Sequence, residues 1–259
     1  MKSVKRVSAR ARLTGRGIWT QSLADAKVSF RIPAIRWHRK ISRTSYSQFG
    51  EDKILRSLLP ETFGSYLEIG AGDPIRNSNT YLFYVQGWRG TLVEPIPSIF
   101  EKLKKVRPRD QAVNRAIVGP NINQDQIDFW EFTPTELSTS DNVRAQYLID
   151  HNTHLTGKYR IDTCSIMDLE LSVSPDNPFL LSIDAEGLDY EILRGISWDT
   201  FRPRVICVED PLGMSGESRI KLLLRESGYM HISQCSVSSI YLHADSFAAP
   251  ILDHSKIDN

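Results

Sequence analysis

The sequence predicts one doubly wound α/β domain with a mostly parallel sheet. From Tyr46 onward, short apolar runs alternate with amphipathic segments, a pattern typical of successive βαβ units. The first apolar run ends in a glycine turn, and the last two strand-like runs have no helix between them. Those last runs predict an antiparallel hairpin at the C-terminal edge of the sheet. The chain of 259 residues is long enough to bury the core of one such domain.

The predicted elements follow in order along the chain. Helices are predicted at 52–59, 79–86, 97–106, 190–193 and 219–226, and strands at 65–69, 91–94, 112–118, 179–183 and 204–208. The hairpin strands are predicted at 229–234 and 238–243. Residues 121–177 form a less regular insertion, with strands predicted at 127–132 and 159–163 and a polar segment at 135–155 between them. Long irregular insertions are commonly functional or mobile, and we expect this one to be a lid.

Charge is distributed unevenly along the chain. Residues 1–45 carry twelve Lys or Arg and one acid, Asp25, whereas the whole chain carries 32 basic and 31 acidic residues. The remainder therefore has 20 basic and 30 acidic residues. We predict a basic extension at 1–45, a folded body at 46–245 and a tail at 246–259. Such an arm can bind nucleic acid, an anionic membrane surface or an acidic protein surface, although a solvated extension is commoner.

The composition is that of a soluble globular protein, with 41% apolar and 24% charged residues. The sequence has no apolar run of about 18 residues and no signal-peptide pattern, so we predict a cytoplasmic protein. Its three cysteines, Cys164, Cys207 and Cys235, are widely spaced. They predict buried thiols rather than a disulfide framework or a zinc site.

The glycine turn predicts a nucleoside site. Gly70 and Gly72 follow the strand 65–69, and the position three after Gly72 is Ile75, which does not fit the G-x-G-x-x-G spacing. No Lys-Ser or Lys-Thr follows either, which disfavours a phosphate-binding loop. Glu94 ends the next strand, where an acid can accept the hydroxyl protons of a ribose. A ribose acid without phosphate contacts favours S-adenosylmethionine over a dinucleotide; a tight βα corner is the alternative.

The order and spacing of several motifs carry a more specific resemblance. The chain resembles the FkbM family of methyltransferases across residues 46–243. Two positions depart from the family pattern: Glu68 stands where Asp is common, and Pro74 where glycine is usual. The matching runs are S-Q-F-G-E-D at 47–52, E-I-G-A-G-D at 68–73, S-N-T at 78–80, G-W-R-G at 87–90, V-E-P at 93–95, S-I-D-A-E-G at 182–187, R-P at 202–203 and G-Y at 228–229.

This resemblance implies the class I methyltransferase (Rossmann-like) fold and S-adenosylmethionine as methyl donor. It also implies transfer mainly to hydroxyl oxygens of a small-molecule or glycan acceptor, such as a sugar or a secondary metabolite. Gln48 and Asp52 are implied to lie on a helix that covers the cofactor, although Ser47 also suits the cap of that helix. The implied cofactor-binding residues are Gln48, Glu68, Gly70, Gly72, Asp73, Asn79 and Glu94.

Transfer to an alcohol oxygen requires a base, because the oxygen becomes nucleophilic as its proton is removed. Asp184, at the end of the strand 179–183, is the first candidate, and Glu186 is the second. Glu186 also suits a helix N-terminus, where an acid is favoured. His151 and His154 in the insertion are alternative bases, although a loop histidine is more often simply solvated.

Carboxylates also suggest a metal site. Glu209 and Asp210 end the strand after Asp184, and we consider Asp184, Glu209 and Asp210 as ligands of Mg²⁺, which prefers oxygen donors. The alternative is that Glu209 and Asp210 only end a strand.

Two other functions remain open at this stage. A protein of the same fold could bind a nucleoside or assist assembly without catalysis, its basic arm docked on a membrane or a partner. A nucleic-acid methyltransferase would suit the arm, but the acidic body and the lack of an N/D-P-P-Y-like tetrapeptide disfavour it. We therefore expect no nucleic-acid partner.

Overall fold

A computed structural model describes residues 45–173, 179–214 and 216–247. Strands β1 to β10 are Ser65–Ile69, Arg89–Val93, Gln111–Val113, Ala116–Ile117, Gln126–Thr133, His154–Cys164, Leu180–Ile183, Val205–Glu209, Tyr229–Cys235 and Ser238–His243. Helices α1 to α7 are Glu51–Leu58, Tyr81–Val85, Pro97–Val106, Asn142–Asp150, Ile166–Val173, Asp189–Arg194 and Arg219–Glu226. Short 3₁₀ helices lie at Thr135–Leu137, Pro211–Met214 and Ala244–Phe247.

The main sheet has seven strands in the order β3-β2-β1-β7-β8-β10-β9. Strands β3, β2, β1, β7 and β8 are parallel, and β10 pairs antiparallel with both β8 and β9. The predicted fold class, including the edge hairpin, is therefore confirmed. Chain order reverses between β1 and β7, so a crevice forms outside the carboxyl ends of these strands, where open α/β sheets bind ligands.

Helices cover both faces of this sheet, so its central strands are buried on both sides. Leu67, Ile69, Leu181 and Ile183 belong to a core with apolar residues of α5, α6 and α7. Alternate residues of the same strands, such as Tyr66, face a second core with residues of α1, α2 and α3. Successive side chains of a strand point to opposite faces, which explains these nearly continuous apolar runs.

Strands β5 and β6 of the insertion form a second, three-stranded sheet together with β4, which precedes the insertion; the order is β4-β6-β5. The prediction of one strand at 112–118 was wrong: β3 lies in the main sheet and β4 in the second sheet. Asn114 separates them, and its side-chain amide donates hydrogen bonds to the carbonyl oxygens of Glu94 and Pro95 over 2.8 and 2.9 Å. The chain thereby turns from one sheet into the other.

Two helices near this region escaped prediction. Helix α4 lies within the predicted polar segment 135–155, and Asp141 caps it by accepting hydrogen bonds from the backbone amides of Val143 and Arg144. Helix α5 follows β6. The strands at 65–69 and 238–243 and the helices at 97–106 and 219–226 were predicted with the observed bounds, and most other elements differ by one to three residues at an end.

Several predictions concern the whole chain. Cys207 and Cys235 are buried, Cys164 is partly buried, and all three are free thiols. Among the described residues, no helix has both the length and the apolar character needed to cross a membrane. The predicted extension, apart from residue 45, and the tail from residue 248 lie outside the described residues.

A buried ion cluster joins β1 to the end of α3. The Arg107 guanidinium, with its residue 1% exposed, lies 2.7 Å from a carboxylate oxygen of Asp110 and 3.4 Å from one of Glu68. It also donates hydrogen bonds to the hydroxyls of Tyr66 and Thr80 over 2.9 and 2.8 Å. Burial raises the pKa of Glu68, although the Arg107 charge opposes this shift. The cluster thus stabilises a carboxylate placed inside the protein.

We therefore expect Arg107→Met to lower the free energy of unfolding by about 3–5 kcal/mol, because it leaves buried carboxylates without their cation. Arg109→Met is the matched control, since Arg109 is exposed and stacks 4.1 Å from the ring centroid of Tyr84. Arg109 also donates a hydrogen bond to the Tyr84 carbonyl over 2.7 Å. The loss of these exposed contacts should cost about 1 kcal/mol. Urea denaturation measures both values, and equal losses would show that the buried cluster contributes nothing of its own.

Candidate active site

A cleft opens at the carboxyl ends of β1, β2 and β7 and extends to the inserted sheet. It lies at the reversal of strand order, as expected for the fold. Its floor includes Gly70, Gly72, Asp73, Glu94, Asp184 and Glu186. Its other wall includes Phe129, Thr135, Glu136, Ser138 and Ser140 of the insertion. Six of the predicted site residues therefore meet in one cavity.

The glycine turn is shaped by close backbone contact between β1 and β7. Gly70 has φ +75°, and a Cβ there would lie 1.8 Å from the carbonyl oxygen of Asp184. Only glycine fits both the conformation and the space. Gly72 has φ +56°, and a Cβ there would have no atom within 4 Å. Its backbone is consequently open to a ligand.

Glu94 lies at the base of the cleft and is 3% exposed. One carboxylate oxygen accepts a hydrogen bond from the Gly72 amide over 2.9 Å, and the other accepts one from the Ile96 amide over 2.8 Å. Burial, with smaller contributions from the Glu131 and Glu68 charges, raises the pKa of Glu94 to about 7 despite these bonds. Each carboxylate oxygen can accept a further hydrogen bond. The site therefore fits a ligand that donates a pair of hydroxyl protons.

Asp73 forms the outer end of the glycine turn. Its Oδ1 accepts hydrogen bonds from the amides of Ile75 and Arg76, and its Oδ2 lies 2.6 Å from Lys102 Nζ. Partial burial opposes ionisation, but these bonds and the Lys102 charge outweigh it and lower the pKa of Asp73 to about 2. Asp73 is thus a fixed negative charge at the cleft edge.

Asp184 follows β7 directly, and its backbone amide donates to the Ile69 carbonyl over 3.0 Å. Water reaches the side chain, yet the surrounding cleft walls still desolvate it. This desolvation, followed by the negative charges of Glu209 and Glu186, raises the pKa of Asp184 to about 8. A carboxyl group tuned in this way near neutrality suits proton transfer.

Glu186 occupies a left-handed turn, with φ +51°, followed by Gly187 with φ +100°. It lies two residues before Leu188, the N-cap residue of α6, so it is near the helix N-terminus but outside the first turn of the helix. Asp189 holds the turn by accepting hydrogen bonds from the amides of Ala185 and Gly187, each over 3.2 Å. Desolvation and the Glu209 charge raise the pKa of Glu186 to about 7, and Arg144 opposes that shift. Strained backbone of this kind clusters at functional sites.

Arg144 connects the insertion to this turn. Its guanidinium lies 3.1 Å from Oε2 of Glu186 and donates a second hydrogen bond to the Glu186 carbonyl over 3.4 Å. Arg144 and the insertion wall were missed from the sequence, because their roles depend on how the second sheet folds over the cleft. The Asp141 cap signal could have located the start of α4, but not its contact with Glu186.

Other predicted site residues lie outside the lining of this cleft. Glu68 belongs to the Arg107 cluster, and the Asn79 amide donates to the Ser182 hydroxyl over 3.1 Å. Gln48 is exposed just before α1. Asp52 is buried and accepts hydrogen bonds from Ser45, Tyr46 and Ser47, while Ser47 Oγ accepts from the Asp52 amide. Ser47 therefore bonds to the first turn of α1, but the N-cap residue is Gly50 and not Ser47 as predicted.

The three suggested Mg²⁺ ligands do not form one site, although Glu209 lies close enough to Asp184 for its charge to raise the Asp184 pKa. Among the residues that the structure describes, no group of three or more His, Cys, Asp or Glu is arranged to hold a metal ion. Asp210 is buried, and its Oδ2 accepts a hydrogen bond from the Ser218 hydroxyl. The backbone amide of Asp210 donates to the Val237 carbonyl over 2.7 Å. These contacts hold Asp210 inside the protein beside the edge hairpin, and Asp210 does not line the cleft.

The two alternative bases, His151 and His154, are exposed and lie outside the residues that line the cleft. The His151 ring centroid lies 3.9 Å from that of Tyr147, and its Nδ1 lies 2.8 Å from the Tyr147 carbonyl oxygen. Asp184 and Glu186, which line the cleft, are thus better placed to act as the base than either histidine.

Comparison with known proteins gives a family match. The model of the methyltransferase FkbM domain matches residues 68–230, more than half of the chain. No curated protein sequence matches the chain significantly. A methyltransferase FkbM structure from Methylobacillus flagellatus KT aligns with 15% identity and a TM-score of 0.40, over 70% of this chain and 44% of that one. The match thus spans less than half of that relative's length.

Two further structures are similar at the same level. An O-methyltransferase from Bacillus cereus in complex with SAH aligns with 9% identity and a TM-score of 0.39, covering 76% of this chain and 81% of that one. A putative caffeoyl-CoA O-methyltransferase from Staphylococcus aureus aligns with 8% identity and a TM-score of 0.41, covering 77% and 85%. These TM-scores are too low to support any inference about the reaction, so the family assignment depends on the domain match alone.

The raised pKa of Asp184 predicts an effect on stability. Because its folded pKa of about 8 exceeds its ordinary value of 3.8, the native protein holds this proton more tightly than the unfolded chain. Stability is therefore lost as pH rises between these values. We expect Asp184→Asn to raise the melting temperature clearly at pH 8.5 and much less at pH 5.

The matched control for this measurement is Asp199→Asn, because the Asp199 side chain is 97% exposed on the surface. Because water solvates this side chain in the folded chain, the substitution should change the melting temperature little at either pH. If Asp184→Asn gave a difference independent of pH, Asp184 would not retain its proton in the native state.

Proposed function

Because the chain belongs to the methyltransferase FkbM domain family, a family of S-adenosylmethionine-dependent methyltransferases, we propose that it methylates a hydroxyl oxygen. The proposed acceptor is a sugar, a glycan or a hydroxylated secondary metabolite. The observation that supports oxygen as the target is the position of Asp184. It shares one cleft with Glu94, and its pKa of about 8 is that of a usable base.

The cofactor half of the cleft is proposed to lie between the glycine turn and Glu94. Glu94 would accept the two ribose hydroxyl protons, and the open backbone at Gly72 would allow close approach of the ligand. When bound, S-adenosylmethionine supplies an electrophilic methyl group on a positively charged sulfur. Placement of the acceptor oxygen in line with that methyl group provides much of the catalysis.

Asp184 is proposed to accept the proton of the acceptor hydroxyl. It must be deprotonated for this step, so activity should rise with pH toward its pKa of about 8. Glu186 is proposed to orient the acceptor through a hydrogen bond, because Arg144 holds its carboxylate at the same edge of the cleft. This proposal includes no metal, since Asp210 does not line the cleft and the described carboxylates form no metal-binding group.

Cofactor binding can be tested at Glu94. Glu94→Gln keeps the size of the side chain but removes the charge and one acceptor, so affinity for S-adenosylhomocysteine should fall by about 1.5–3 kcal/mol. Glu131→Gln is the control, because Glu131 is also buried, lies close enough to affect Glu94, and does not line the cleft. Calorimetry measures the affinity of both variants for S-adenosylhomocysteine. If the two folded variants bound it equally well, Glu94 would not contact the ribose.

Proton transfer can be tested at Asp184. Asp184→Asn keeps the shape and removes the base, so turnover should fall by about 10²–10⁴-fold while cofactor affinity changes much less. The assay follows label from S-adenosylmethionine into glycan, lipid, small-molecule and RNA fractions of a lysate. EDTA should leave the wild-type rate unchanged. If Asp184→Asn kept most of the wild-type turnover, Asp184 would have a structural role and Glu186 would become the candidate base.

A further inference from the structure

We propose that residues 135–140 of the insertion form the acceptor-binding wall, and that the acceptor is a polyhydroxylated sugar without an anionic group. Glu136 on this wall would accept hydrogen bonds from the hydroxyl or ammonium groups of the sugar. This inference rests on the proposed methyl transfer, since it concerns the second substrate of the same cleft. It specifies a ligand class, neutral or amino sugars, that the family match does not.

The path of the chain places this segment across the cleft. At one end, Glu131 on β5 is close enough for its charge to raise the pKa of Glu94. At the other end, Arg144 on α4 bonds to Glu186. The residues between them therefore cross from the proposed ribose site to the proposed reaction centre. Thr135, Glu136, Ser138 and Ser140 line the cleft along this path.

Backbone and side-chain contacts fix the segment in place. Trp130 and Thr139 exchange backbone hydrogen bonds of 2.9 and 3.0 Å. The Ser138 hydroxyl, which is buried, accepts a hydrogen bond from the Phe132 amide over 3.1 Å. Asp141 then caps α4. The wall is thus held by its own contacts, which reduces the ordering cost when a ligand binds.

The charges along the cleft disfavour an anionic ligand. Five acids line it: Asp73, Glu94, Glu136, Asp184 and Glu186. The two lining cations already contact acceptors, since Arg76 lies 3.8 Å from Asp73 and Arg115 donates to the Thr163 carbonyl over 3.4 Å. The Asp73 charge is fixed, and Glu94, Asp184 and Glu186, with pKa values of about 7, 8 and 7, ionise as the pH rises past neutrality. A phosphate or carboxylate would therefore meet repulsion that grows with pH, whereas hydroxyl and ammonium groups can donate to the carboxylates.

Glu136 is the acid best placed to recognise such a ligand. Its side chain is exposed at the wall, and no ion pair or hydrogen bond engages its carboxylate among the described residues. Phe129 adds an apolar surface to the same cleft, which suits the C–H face of a sugar ring. A few polar groups on a partly apolar wall are the usual composition of small-ligand sites.

The test uses three matched probes: methyl glucoside, methyl glucosaminide and methyl glucuronide. Each is titrated into the full chain, with and without S-adenosylhomocysteine, and binding is followed by saturation-transfer NMR. The neutral and amino sugars should bind at least about five-fold more tightly than the glucuronide, as a partly exposed charge interaction would produce. Glu136→Gln should weaken glucosaminide binding about five-fold. It should also reduce the difference in affinity between the glucosaminide and the glucuronide.

Glu101→Gln is the control variant, because Glu101 is a half-exposed acid of α3 outside the cleft, and it should change none of these affinities. The proposal is overturned if the glucuronide binds as tightly as the neutral sugar, if no sugar binds, or if Glu136→Gln behaves like Glu101→Gln. Failure to bind S-adenosylhomocysteine would instead refute the proposed function, while the cofactor-free titrations would still test the wall.

Discussion

The carboxyl ends of β1 and β7 approach so closely that a side chain at Gly70 would overlap the carbonyl oxygen of Asp184. The remainder of the site depends on this contact. It places the turn that reaches Glu94 beside the turn that carries Asp184 and Glu186. Because both turns continue from paired parallel strands, their spacing is fixed by the sheet rather than by flexible loops. A donor and an acceptor bound at these turns would be held at a defined separation.

The same arrangement concentrates acids in one cleft, whose walls partly desolvate them. Glu94, Asp184 and Glu186 all have raised pKa values, and desolvation is the largest cause for each. Such groups lower the stability of the folded state when they ionise. This is the trade-off between stability and activity that is common at active sites. A positively charged ligand would relieve part of this repulsion. The negative cleft is therefore compatible with a cationic methyl donor.

Sequence periodicity was sufficient for the main sheet, because its buried strands and amphipathic helices follow simple spacing rules. The glycine turn and Glu94 were also predictable, since residues at the ends of neighbouring parallel strands must lie close together. The division of 112–118 between two sheets was not predictable from apolar content, because it depends on the hydrogen bonds of Asn114. Arg144 was missed for a similar reason: its partner Glu186 is 42 residues away.

Glu68 and Glu94 show why a motif alone does not assign a role to an acid. Glu68 lies within β1, where alternation directs it to the same face as Tyr66 and into the cluster around Arg107. Glu94 lies just beyond β2, so its side chain turns back toward the Gly72 amide in the cleft. One acid is thereby neutralised inside the protein and holds the strand that precedes the glycine turn. The other lines the cleft and can contact a ligand.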